Sequence, residues 1–184
     1  MARKIIDKAK SHFLRTFKKD RSPIYPYLTR HVVEVEKWAK KILRNHQEGD
    51  EEVVLLSVWL HDIGMAIGNK NEDHAVKSEI ETRRFLSKME LSPEKIEKVA
   101  HGVRAHRCKD VQPKSLEAKI LAAADSVSHM TEINYIVHLS DGLRDYALAK
   151  LERDYRDAGL FPELQEEITP LYKAWKKLLS VYPH

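Results

Sequence analysis

Glycine and proline are scarce, at 6 and 7 of 184 residues, which argues against all-β folds, collagen-like repeats and disordered tracts. The single cysteine, Cys108, excludes an internal disulfide and a cysteine-built zinc site, and it reads as a reduced, intracellular thiol. No apolar run approaches the roughly 20 residues that span a bilayer. The first 21 residues alternate charged and apolar side chains and contain no continuous apolar signal region. Together these absences predict a soluble, cytoplasmic protein that makes no membrane contact.

What is present suits one domain with one core: 42% of the chain is hydrophobic and 33% charged. Lys and Arg exceed Asp and Glu by 32 to 28, a net charge of +4, and residues 1–21 alone hold eight basic and two acidic side chains. Such a segment can serve as an arm for nucleic acid or a phosphate-rich surface. It has no aromatic–basic interleaving and no groove-reading motif. Ile5, Ile6, Ala9, Phe13, Leu14 and Phe17 instead recur at helical spacing, so the basic residues read as the solvated face of an amphipathic helix.

Helical periodicity runs through nearly the whole chain. The first helix breaks at Ser22-Pro23-Ile24-Tyr25-Pro26, after which Thr29 is the expected cap of a second helix carrying Val32, Val35, Trp38, Ala39, Ile42 and Leu43. Residues 51–62 carry two acids in the first turn and then VVLLSVWLHD, apolar nearly all round, which predicts a central buried helix. Gly64, Gly68 and Asn69 form a loop, and a fourth helix runs from about Asp73 to Glu90. Ser92-Pro93-Glu94 opens a fifth, reaching about His106, and Ser115 opens a sixth through Ala122-Ala123-Ala124. Helices over Ile136–Tyr155 and Pro162–Leu179 complete an all-α domain of about seven or eight helices spanning 1–184. Trp175, Leu178, Leu179 and Tyr182 could pack internally or against a second copy in a homodimer.

The informative residues are the histidines and the acids near them. His31 lies on the stripe of Val35, Trp38 and Ile42. His61 shares a face with Val54 and Val58 and is followed by Asp62, while Asp125 sits in an alanine-rich, apolar turn. Two imidazoles and two carboxylates on inward faces of three helices are costly to bury without partners, by several kcal/mol. A divalent cation supplies the partner, and imidazole with carboxylate but no thiolate suits manganese, iron, cobalt, nickel or zinc.

The order of these residues, with LHDIGM closing a hydrophobic helix and AAADSV later, resembles the HD-domain superfamily of metal-dependent phosphohydrolases. The resemblance covers about residues 28–135. It implies an all-α HD-type fold in which His31, His61, Asp62 and Asp125 bind a divalent metal. Some members of that superfamily use further histidines for a second metal or for phosphate. His74 and His106 are the candidates for that role, with His101 a lesser one. His12, His46, His129, His138 and His184 read as ordinary polar residues.

The sequence also departs from subfamily patterns. Met65 stands where related chains often place a phosphate-meeting lysine, and His106 is followed by Arg107, Cys108 and Lys109, not by the signature of cyclic-dinucleotide phosphodiesterases. The Glu-Asp pair of the alarmone hydrolases is replaced by Met65, Ala66 and Ile67. Glu72 and Asp73 come later; they fit a general base and equally an acidic helix start.

The expected chemistry is hydrolysis of a phosphate ester, as a phosphomonoesterase or phosphodiesterase, by metal-activated water that Asp62 helps orient. Arg30, Lys70, Lys77 and Arg104 are the expected substrate cations, and the resemblance favours a nucleotide as the small phosphorylated substrate. The alternatives are a regulatory module that binds a nucleotide or metal without turnover, and a di-iron oxygenase.

Overall fold

A computed structural model describes residues 2–20, 25–69 and 71–182. It is all-α: no strand occurs among the described residues. The order is α1 (Ala2–Asp20), α2 (Tyr25–Asn45), α3 (Glu51–Leu60), a 3-10 turn (Ile63–Ala66), α4 (His74–Leu86) and α5 (Pro93–Ala105). Then follow α6 (Leu116–Thr131), α7 (Asn134–Ser140), α8 (Arg144–Ala158) and α9 (Pro162–Val181). None of these helices is long and apolar enough to cross a membrane.

Helix α3 is the axis of the packing. Val53 to Leu60 are all buried, so the helix has no solvated face, and α1, α2, α5 and α6 all pack on it. Its start is fixed by Asp50, whose carboxylate accepts the backbone N–H groups of Glu52 and Val53 at 3.0 and 3.2 Å. Each large apolar side chain it buries contributes roughly 1.5–3 kcal/mol. That sum offsets the cost of holding His61 and Asp62, the next two residues, out of water. Trp59 donates its indole N–H to Glu36 of α2 at 2.9 Å and meets the Phe13 ring of α1 edge-on.

Small residues set the close crossings. Ala122, Ala123 and Ala124 of α6 are fully buried, and a Cβ at Gly102 of α5 would stand 3.2 Å from Ser57 Oγ and 3.7 Å from Ala118 Cα. Helices α4 and α5 pair with one another, as do α8 and α9, and α8 also lies along α6. Hydroxyl caps position the paired helices: Ser92 accepts the Lys95 N–H, with Pro93 just inside the helix, and Ser115 accepts the Ala118 N–H.

Three boundaries differ from the sequence expectation, and one is that α4 ends at Leu86 and not near Glu90. Thr29 lies inside α2, which already begins at Tyr25. The tertiary amide of Pro26 is tolerated in the first turn, where its missing N–H has no helical partner to lose. The expected helix over 136–155 is two helices, α7 and α8, separated at Gly142, whose φ of 72° is a left-handed conformation open to glycine. The break at residues 21–24 lies outside the described residues.

Gly64, in the turn just after Asp62, leaves no room for a side chain. A Cβ there would stand 2.2 Å from the backbone oxygen of His74 and 2.8 Å from Ser78 N and Oγ, and Gly64 N–H itself donates to Ser78 Oγ at 2.9 Å. Gly64→Ala is therefore expected to cost about 3 kcal/mol by overpacking. Thermal unfolding checks this, with a midpoint lowered by roughly 6–12 °C for a chain of this size.

Candidate metal centre

The cluster is assembled from five helix ends and faces. His31 comes from the middle of α2, and Asp125 from α6 beside it. His61 and Asp62 end α3, His74 is the first residue of α4, and His106 terminates α5. His31, His61, His106, Asp62 and Asp125 are buried, whereas the His74 side chain is 26% exposed.

Asp62 joins two groups of imidazoles. Its Oδ2 faces His61 Nε2 at 3.6 Å and His31 Nε2 at 3.8 Å. Its Oδ1 faces His74 Nε2 at 3.3 Å and His106 Nε2 at 3.8 Å. Asp125 Oδ1 closes the first group, 3.0 Å from His31 Nε2 and 3.7 Å from His61 Nε2. Three triads, His31–His61–Asp62, Asp62–His74–His106 and His31–Asp125–His129, each gather their ligand atoms within 4.8 Å of one another.

The rear nitrogens of the imidazoles set which atom points inward. His61 Nδ1 donates to the Val58 carbonyl at 2.8 Å, and His106 Nδ1 to the Val103 carbonyl at 2.6 Å. Each ring therefore turns an Nε2 lone pair to the centre. His31 Nδ1 faces Ser128 Oγ at 3.2 Å, whose own hydrogen goes to the Asp125 carbonyl, and it lies 3.6 Å from Glu132 Oε1. His61 Nε2 is buried without any hydrogen-bond partner among the described residues. A buried lone pair left in that state is costly unless something accepts it. A cation fits this donor set: imidazole nitrogens and carboxylate oxygens, with no thiolate among them.

The electrostatics are those of a site built to hold positive charge. Burial works to raise the carboxyls of Asp62 and Asp125, but the imidazoles around them hold both well below the usual carboxylate range. At His31 burial works downward and is outweighed by the hydrogen bonds to Asp125 and Glu132, so its imidazolium form persists well above the ordinary range. His106 is pushed down to about 4 by burial and by His61, which leaves it neutral with its lone pair available.

Several other residues singled out in the sequence are engaged elsewhere. Asp73 caps α4 through the Ala75 N–H at 2.8 Å and takes the Arg107 guanidinium at 2.7 Å. Glu72 is exposed. Lys77 donates to the Asn69 carbonyl at 2.7 Å, and Arg104 pairs with Asp110 and Glu79. His101 accepts the Lys114 N–H at 3.1 Å. Arg30 is exposed on α2 and lines a cavity of about 380 Å³ with Tyr27, Lys37 and Glu132. Lys70 lies outside the described residues, as does His184. Cys108 is apart from the cluster's triads, and burial pushes its thiol up to about 12.

One residue set aside in the sequence does belong to the cluster. His129 Nε2 is 3.7 Å from Asp125 Oδ1, and its ring lies parallel to that of His31 at 5.0 Å. The signal was available, because His129 follows Asp125 by four residues and so shares its face of α6. Its partners from α8, Lys150 and Asp154, carried no such signal, because their approach depends on how α8 folds back along α6.

A family model described as HD domain matches residues 28–130. No curated protein and no solved structure matches the chain. The matched residues contain all seven of the clustered histidines and aspartates.

Loading a cation must displace the proton that His31 holds against Asp125. Uptake of manganese by metal-free protein is therefore expected to release about one proton per ion near neutral pH and to weaken as pH falls. Calorimetric titration in two buffers of different ionisation enthalpy measures that number directly.

Proposed function

Since the chain belongs to the HD-domain family, a superfamily of metal-dependent phosphohydrolases, we propose that it hydrolyses a nucleotide or a similar small phosphate ester. The observation that supports this reading best is the double-faced Asp62, with a pair of imidazoles against each of its oxygens. His31, His61, Asp62 and Asp125 would hold one divalent ion. His74 and His106, with the other oxygen of Asp62, would hold a second. A divalent ion bound there supplies a water of lowered pKa and polarises a phosphoryl oxygen.

The chain's own residues do the rest. The carbonyls of Val58 and Val103 fix the rings of His61 and His106, so no reorientation is needed when a ligand arrives. Burial of Asp62 and Asp125 keeps water away from the carboxylates and strengthens every charge interaction between them and their partners. The exposed edge at His74 is where solvent, and hence substrate, reaches the cluster. Asp73, beside His74, holds the Arg107 guanidinium at 2.7 Å. The cavity lined by Tyr27 and Arg30 offers an aromatic face and a cation to the remainder of the substrate, while Lys37 at its rim is held by Glu34 at 2.7 Å. Its volume of about 380 Å³ is within the ordinary range for small-molecule sites.

The test joins metal content to turnover. Wild type is expected to carry divalent metal near stoichiometrically and to release phosphate from at least one member of a nucleotide panel. Asp62→Ala is expected to lose the metal, with kcat/KM falling by about 10³-fold or more. Metal without turnover on any phosphate ester would overturn the hydrolase reading and leave a binding module or an oxygenase.

A further inference from the structure

His129 differs from the other buried histidines in what stands behind it. His61 and His106 turn Nδ1 to a carbonyl oxygen, an acceptor, and so keep Nε2 unprotonated. His129 turns Nδ1 to the Lys150 ammonium at 3.0 Å. An ammonium has three donors and no acceptor, so Nδ1 must accept, and the proton of a neutral His129 then resides on Nε2. Asp154 is the competing partner for Nδ1, at 3.4 Å. Its Oδ2 already takes the Tyr135 hydroxyl at 2.7 Å and lies 3.3 Å from Lys150, whose Nζ is also 3.4 Å from Oδ1. The carboxylate is thus satisfied by Tyr135 and by Lys150, which it anchors against the histidine.

With its proton there, Nε2 has no acceptor in hydrogen-bonding range among the described residues. The nearest ionised oxygen, Asp125 Oδ1, is 3.7 Å away, beyond the ordinary hydrogen-bond limit. The ring is held flat against His31 at 5.0 Å with a 6° interplanar angle, and its side chain keeps 12% exposure, so it stands at the rim of the cluster. The other histidines of the cluster present lone pairs or share a proton with a carboxylate. His129 presents a fixed donor.

We propose that Lys150 and Asp154 hold His129 as an N–H donor for a phosphoryl oxygen of the substrate, a substrate-binding residue and not a metal ligand. This rests on the hydrolase reading above, but the experiment separates the two. Manganese affinity of wild type, His129→Leu, His129→Gln and Lys150→Met is measured first by calorimetry, followed by the affinity of each manganese-loaded protein for inorganic phosphate.

A donor to phosphate predicts that His129→Leu keeps its manganese affinity and loses about tenfold or more in phosphate affinity, the scale of one hydrogen bond to a charged group. The side-chain amide of His129→Gln carries an N–H to the same place and is expected to recover most of the loss. Lys150→Met is expected to match His129→Leu, because Nδ1 then gives its proton to Asp154 and Nε2 loses its own. The manganese titration also reports whether each variant is folded. Weakened manganese binding with unchanged phosphate binding would make His129 a ligand or a support for Asp125, and would overturn the inference. Unchanged affinity for both would overturn it as well. Failure of wild type itself to bind manganese would instead remove the hydrolase reading.

Discussion

Two carboxylates, Asp62 and Asp125, are buried among imidazoles at the end of an apolar helix, and the rest of the architecture answers to that constraint. A buried carboxylate is stable only where positive charge or hydrogen-bond donors surround it. The chain meets this need by ending α3 and α5 and starting α4 at one point, so that His61, His106 and His74 arrive from different directions. The two helices that pass through the point, α2 and α6, add His31 and Asp125. Such a convergence requires helices that approach closely, which explains the alanines of α6, Gly102 of α5 and Gly64 directly after Asp62.

The fold class and the order of the site residues were legible because both are written in periodicity. The all-apolar run of α3, the serine caps of α5 and α6 and the amphipathic α1 are local signals, and each element occurs where those signals place it. Thr29 misled because a hydroxyl before an apolar stripe reads as a cap, whereas Tyr25 and Pro26 already start the helix. Gly142 misled because an isolated glycine in a helical pattern is often tolerated; its left-handed φ is a tertiary outcome. The clustering of His74 and His106 with Asp62 could be suspected but not measured from spacing, since they come from different helices. Asp73, Lys77 and Arg104 illustrate the converse: charge near a motif is commonly spent on a cap, a loop carbonyl or a neighbouring acid.

The histidines also show that proximity is a poor guide to role. Five rings lie within 4 Å of Asp62 or Asp125 through their Nε2 atoms, and in the sequence His129 reads apart from the other four, as an ordinary polar residue. What distinguishes His129 is the atom behind it. A carbonyl behind an imidazole makes it a base toward the centre, and an ammonium makes it an acid in the hydrogen-bonding sense. The information that assigns the role lies in Val58, Val103 and Lys150, none of which enters a motif.

Lys150 and Asp154 belong to α8, beyond the 28–130 segment that matches the family model. The C-terminal pair α8–α9 therefore does more than cover apolar surface on α6. Opening of that hairpin would leave His129 without the ammonium that fixes its proton, while the other six residues of the cluster stayed in place. Local opening of α8 and occupancy of the rim at His129 are thus thermodynamically linked: an anion at concentration L held there raises the free energy of opening by up to RT ln(1 + L/Kd). Slowed amide exchange along α8, far from any histidine in sequence, would be the imprint of that linkage.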